Sequence, residues 1–167
     1  MIAYKFLRPD GTSVFTAFGW TLPDDEPGAW VDARVDPCRT GVHACRVADL
    51  PHWVAPALYE IELDGQIVHG ASKLVAARGR LRRRLQAWDG ALHDAYTRMC
   101  ADRAHDLALS ASPALKHWDV LIEPWVPQGP AALGFCAARI AEEISGPHGY
   151  RAERLRQAEW LVARLGL

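Results

Sequence analysis

The sequence predicts an α+β protein: a β-rich N-terminal half, built as a small twisted or split antiparallel sheet with short helices, packed with a C-terminal helical segment. Three observations predict it. Residues 57–63 alternate apolar and polar side chains, the signature of a half-buried strand. Through residue 90, short runs of β-branched and aromatic side chains are punctuated by Pro, Gly and Asp. After Trp88-Asp89-Gly90 the composition turns alanine-rich and its apolar residues recur at helical spacing. The expected division is 1–90 as the β-rich part and 91–167 as the helical extension, the two forming one compact unit.

Residues 3–7 read as a first strand, stopped by Arg8-Pro9-Asp10-Gly11. Residues 13–21 are rich in aromatic and β-branched side chains and read as its hairpin partner, before an acidic Pro/Gly loop at 23–28. Residues 29–35 alternate as a half-buried strand, and Gly41 to Cys45 form a short strand leaving a turn. A helix of one or two turns follows over 46–54, with Asp49 as its N-cap. The strand at 57–63 closes on Asp64-Gly65, so 66–69 read as a hairpin return, and 73–77 and 80–85 as one strand each. Helices are predicted over 91–110, 130–145 and 150–165, the last turning Leu155, Trp160, Leu161 and Leu165 to its core. Prolines make 117–127 extended.

A net charge of −1 gives no whole-molecule attraction to nucleic acid or an anionic membrane. No apolar run approaches the ~18 residues that span a bilayer. Lys5 and Arg8 interrupt the apolar N-terminal residues, so no signal peptide is read and a cytoplasmic location is expected. The four cysteines are then free thiols or ligands rather than disulfides. Seven tryptophans is a high count for 167 residues, and several are expected to line a cleft or an interface.

Reactive side chains concentrate between Cys38 and Cys45. Cys38, His43 and Cys45 would supply three metal ligands, although the paired-cysteine spacing of structural zinc sites is missing, so no metal is favoured. His43 and Cys45 share a strand face and would serve as base and nucleophile. The plain alternative is a buried Cys45 with His43 bonded to a backbone carbonyl. Glu60 and Glu62 put two carboxylates on one strand face, suited to acid/base work in a cleft and merely polar if that face meets water. The run Arg78 to Arg84 beside Trp88 is a basic strand for a phosphate or single-stranded nucleic acid, or a solvated edge strand guarded by its charges.

The succession of a Gly-x-His-Ala-Cys strand (Gly41 to Cys45), a short helix, Leu58-Tyr59-Glu60-Ile61-Glu62-Leu63-Asp64-Gly65 and Ser72-Lys73-Leu74-Val75-Ala76 resembles a group of uncharacterised bacterial and phage proteins over roughly residues 1–88. More distantly it resembles compact ADP-ribosyltransferase-type folds, the rifampin-modifying transferases and RNA 2′-phosphotransferases, through His43, Tyr59, Ser72 and the strand from Arg80 to Trp88. Tyr4 and Lys5 stand where those enzymes carry a His-Gly-Thr-like motif. The resemblance implies a cleft around His43 that binds NAD, as a substrate, or a nucleotide-like small molecule. It implies His43, Tyr59, Glu60 and Glu62 as catalytic residues, and Tyr4, Lys5, Ser72, Lys73 and Arg82 as ligand-binding ones. A reading of another class is a non-catalytic interaction or dimerisation module, docking through Trp118, Trp125 and Trp160 of the helical part. A third is a small zinc-stabilised domain.

Overall fold

The computed structural model describes residues 1–37, 39–111, 125 and 129–167. Cys38, Trp118, the Ser112-Pro113 helix stop and most of the extended segment expected at 117–127 lie outside them. The architecture is α+β, in two compact units, Met1–Asp89 and Gly90–Leu167.

In the first unit, β1 (Ile2–Leu7), β4 (Ala57–His69) and β5 (Leu74–Arg84) form the body of an antiparallel sheet, with β2 (Val31–Asp32) and β3 (Val42–Ala44) both pairing β5. Tyr4 and Cys45 exchange backbone hydrogen bonds of 2.9 and 2.8 Å, so the pairing path β1–β4–β5–β3 returns to its start. Alternation supplies the inner face: Ala3 and Leu7, Val42 and Ala44, Tyr59, Ile61 and Leu63, and Leu74, Ala76 and Leu81 make one buried cluster. Each fully buried Leu or Ile there contributes on the order of 2 kcal/mol.

Three sequence expectations change. Residues 13–21 form no strand; they make a tight loop joined to β1 and to itself by the isolated bridges Leu7–Ser13 and Thr12–Gly19. Asp64-Gly65 is a bulge and not a hairpin turn, because Gly65 at φ 73° absorbs the register shift and β4 runs on to His69. The pieces 73–77 and 80–85 are accordingly one strand, and the hairpin turns at Gly70, whose N–H bonds Lys73 O at 2.8 Å.

The short helix is a 3-10 helix, Val47–His52, with Arg46 at the N-cap and Asp49 inside it. The Asp49 carboxylate receives Arg46 Nε, and Arg46 Nη2 also bonds the carbonyls of Gly70 and Ala71 at 3.1 and 2.9 Å. That guanidinium ties the helix entry to the β4–β5 turn. Nor is β5 an edge strand over its first half, since β3 and β2 flank it opposite β4. Its arginines meet carboxylates across the ladder: Arg80 with Glu62 (2.8 Å), Arg83 with Glu60 (3.0 Å) and Arg78 with Asp32 (3.2 Å).

The second unit packs α1 (Gly90–Ala111) against α2 (Pro130–Leu165). Tyr96, Cys100, Ala104, Leu107 and Ala108 form the buried stripe of α1. α2 kinks at Gly146, where Pro147 bars the residue before it from helical geometry and glycine is free to take φ 65°. The expected boundary between two helical segments therefore exists as a kink. Beyond it the buried face carries Glu153, Arg154, Gln157, Ala158 and Leu161, whereas Leu155, expected in the core, is exposed. Among the described residues no helix is long and apolar enough to cross a membrane.

Candidate functional site

The first unit holds a cavity of about 840 Å³, within the range of small-molecule sites. One wall comes from the loop that leaves β1. The Asp10 carboxylate accepts Thr12 N–H and Oγ1 at 3.0 and 2.7 Å, closing the turn. Ser13 N bonds Phe18 O at 2.8 Å and Trp20 N bonds Gly11 O at 3.2 Å, which folds the loop back. Trp20 is then held from two sides: its indole N–H donates to Ser13 Oγ at 2.9 Å, and Phe18 meets its ring edge-on at 5.5 Å. Phe15 packs edge-on against Trp53 at 6.0 Å, and Trp53 Nε1 donates to Ser72 O at 2.6 Å. These four aromatic side chains all line the cavity.

Lys5 enters from β1. By strand alternation it shares a face with Ala3 and Leu7, both buried, and its register partner is the buried Tyr59. Its Nζ donates to His43 O at 2.7 Å and lies 4.9 Å from the centre of the Trp20 ring. Among the described residues no carboxylate pairs with it. Burial pulls its pKa down to about 8, against a minor opposing influence of Cys45.

His43 lines the same cavity. Its Nδ1 lies 3.1 Å from Gly41 O, and since a carbonyl only accepts, Nδ1 carries the proton and Nε2 the lone pair in the neutral ring. Burial first, then the charges of Lys73 and Lys5, hold its pKa below the usual histidine value. The imidazole is thus neutral at physiological pH. Cys45 donates its thiol to Tyr4 O at 3.4 Å, and burial together with the Asp49 charge pushes it up to about 12. Cys45 is thus a buried thiol on a backbone oxygen, and His43 bonds a backbone carbonyl, as the plain reading of the pair has it. Among the described residues no three His, Cys, Asp or Glu side chains gather as a metal site.

Of the residues singled out from sequence, Tyr4, Lys5, His43 and Lys73 line the cavity; Tyr59, Glu60, Glu62, Ser72 and Arg82 do not. Tyr59 is in the sheet core. Glu60 is engaged by Arg83, with Arg82 at 4.0 Å, and Glu62 by Arg80. Ser72 contributes its carbonyl to Trp53. Sequence reasoning missed Phe15, Phe18, Trp20 and Trp53 as individuals. The tryptophan count was their one signal, and it does not separate these from Trp88, which is buried with its Nε1 on Ala55 O at 2.9 Å. Arg39 was missed too. With Lys5 and Lys73 it makes three cationic lining residues against one carboxylate, Asp32, which Arg78 already pairs.

No protein-family model, no curated protein and no solved structure matches this chain.

Proposed function

We propose that the first unit is a small-molecule binding module whose cavity takes a nucleotide-like ligand, a planar aromatic ring carrying an anionic group. The ring would lie against the aromatic wall of Trp20, Phe18, Phe15 and Trp53, and the anion would answer the cations of the lining. One observation carries the reading: the lining is mostly apolar, yet its charged members are Lys5, Arg39 and Lys73 with a single, already paired, carboxylate. The part-buried Lys5 ammonium has no carboxylate partner among the described residues, and an anionic ligand would reduce the cost of its lost hydration.

NAD belongs to this ligand class, and the likeness to ADP-ribosyltransferases makes it a first choice to try. The reading stops at binding. Transfer chemistry would need a carboxylate beside the developing oxocarbenium-like charge, and Glu60 and Glu62 are neutralised by arginines away from the cavity.

Titration of the full-length chain with NAD, with AMP and with inorganic phosphate, followed by calorimetry and tryptophan fluorescence, tests the proposal. NAD or AMP should bind saturably and quench the emission, phosphate alone should bind far more weakly, and Trp20→Ala should weaken binding about tenfold. No saturable signal with either aromatic ligand, or an affinity untouched by Trp20→Ala, would overturn it.

A further inference from the structure

The placement of the Lys5 amine in the lining suits it to a second use besides attracting an anion. Anions are ordinarily held by guanidinium groups or by solvated lysines at a rim, where the charge stays hydrated. Lys5 is built differently. Its Nζ is part-buried in the cavity wall, hydrogen-bonded to His43 O and set over the Trp20 face, with no carboxylate partner among the described residues. A lysine in such a partly apolar pocket is a better nucleophile than a solvated one, because a larger minority of its molecules carry a free lone pair.

We propose that Lys5 is a carbonyl-capturing residue, its Nζ condensing with an aldehyde or ketone of an aromatic, anionic ligand held in this cavity to form an imine. The inference rests on the binding reading above and names the substrate class of the same site. In the step, the Nζ lone pair attacks the carbonyl carbon and the C–N bond forms as the C=O π pair moves to oxygen. The two amine protons pass to that oxygen, which leaves as water while C=N is completed. Amine and carbonyl become imine and water, with no oxidation or reduction. Two features suit the step. The neutral His43 offers the Nε2 lone pair as a proton acceptor in the same cavity. The face of Trp20, 4.9 Å from Nζ, favours the cationic form of that imine once its nitrogen takes a proton from water. A pKa of about 8 against 10.5 gives Lys5 a neutral fraction on the order of a hundredfold above that of a solvated lysine near neutral pH.

The chain carries its own comparators, since lysine occurs elsewhere only at Lys73 and Lys116. Full-length protein is treated with para-formylbenzoate near neutral pH, reduced with cyanoborohydride, and the adducts are located by peptide mass spectrometry. In parallel, para-methylbenzoate, which has the ring and the anion but no carbonyl, is titrated by calorimetry. Lys5 is expected to be labelled about tenfold faster than Lys73 or Lys116, with para-methylbenzoate protecting it. Lys5→Arg should lose the rapid labelling while the slower labelling of Lys73 and Lys116 continues. Labelling spread evenly over the three lysines, or sparing Lys5, would sink the proposal even if Lys5→Arg failed to fold. If para-methylbenzoate binds while Lys5 is not captured, the covalent step alone falls; if neither compound engages the cavity, the binding reading falls with it.

Discussion

In the sheet unit a part-buried lysine has a backbone carbonyl and an indole face for company, whereas in the helical unit a buried glutamate is held from three sides. Glu153, whose side chain is 2% exposed, accepts Arg103 Nε at 3.1 Å, Arg156 Nη2 at 2.6 Å and Gln157 Nε2 at 2.9 Å. Burial would raise its pKa, but the hydrogen bonds from Arg156, Gln157 and Arg103 outweigh it and hold the carboxyl below the usual glutamate value. Lys5 shows the reverse balance, loss of hydration prevailing over the small opposing influence of Cys45, and no carboxylate among the described residues pairs with it. Both are ionisable groups drawn out of water, Glu153 fully and Lys5 in part, and the difference is instructive. A buried charge satisfied within its own unit explains itself as structure, while one left unanswered beside a cavity points to a ligand.

The largest expected effect is on the satisfied side. Glu153→Ala leaves Arg103, Arg156 and Gln157 facing a void and should destabilise the protein by about 3 kcal/mol, read as a lower denaturant midpoint. Because the folded pKa of Glu153 is depressed, its stabilisation is present above the unfolded value of 4.5 and lost as pH falls through the folded one. The variant should therefore lose part of the acid-side slope of stability. An unchanged midpoint and slope would show that the network is ornamental.

Lys5→Met should do the opposite and stabilise the protein by about 2 kcal/mol near neutral pH, since the cost of burying the ammonium outweighs the hydrogen bond lost. The sign of its pH dependence is fixed by the depressed folded pKa. Between about 8 and 10.5 the unfolded chain holds the Lys5 proton that the folded chain has released, so wild-type stability gains with pH and the advantage of Lys5→Met shrinks to nothing near 10.5. An advantage that is absent, or constant across that window, would remove the contrast between the two buried charges.

Smaller still is the expected effect of Phe15→Ala. Phe15 is 81% exposed, so stability should move by less than about 0.5 kcal/mol, while NAD or AMP affinity falls a few-fold as the wall beside Trp53 opens. The smallest belongs to Arg83→Ala. Its side chain is 64% exposed on Glu60, a solvated pair worth about 0.5 kcal/mol or less, and ligand affinity should not change.

Much of the fold was legible in residue order. Alternation in β4, the compositional change after Trp88 and the Gly146-Pro147 break all act over a few neighbouring residues, where period and backbone sterics decide the outcome. Asp64-Gly65 misled because a left-handed glycine serves a bulge as well as a turn, and pairing partners far along the chain decide between them. Leu155 misled similarly: the helical stripe is set by what α1 offers, and the core face of α2 accommodates Glu153 and Gln157 once their hydrogen bonds are met.

The site divides along the same line. From sequence alone came His43 as a focus, the thiol of Cys45 as a packed group, and the α+β division near residue 90. Tertiary structure alone decided which of the tryptophans meet a cavity, that Glu60 and Glu62 spend their charge on the arginines of β5, and that Lys5 meets no carboxylate among the described residues. The physical reason is that burial and charge balance are properties of neighbours in space. A lysine reads the same in the sequence whether its amine is in water or beneath an indole; the closing of β3 onto β1 placed His43 O beside this one, and the folding back of the loop after β1 placed Trp20.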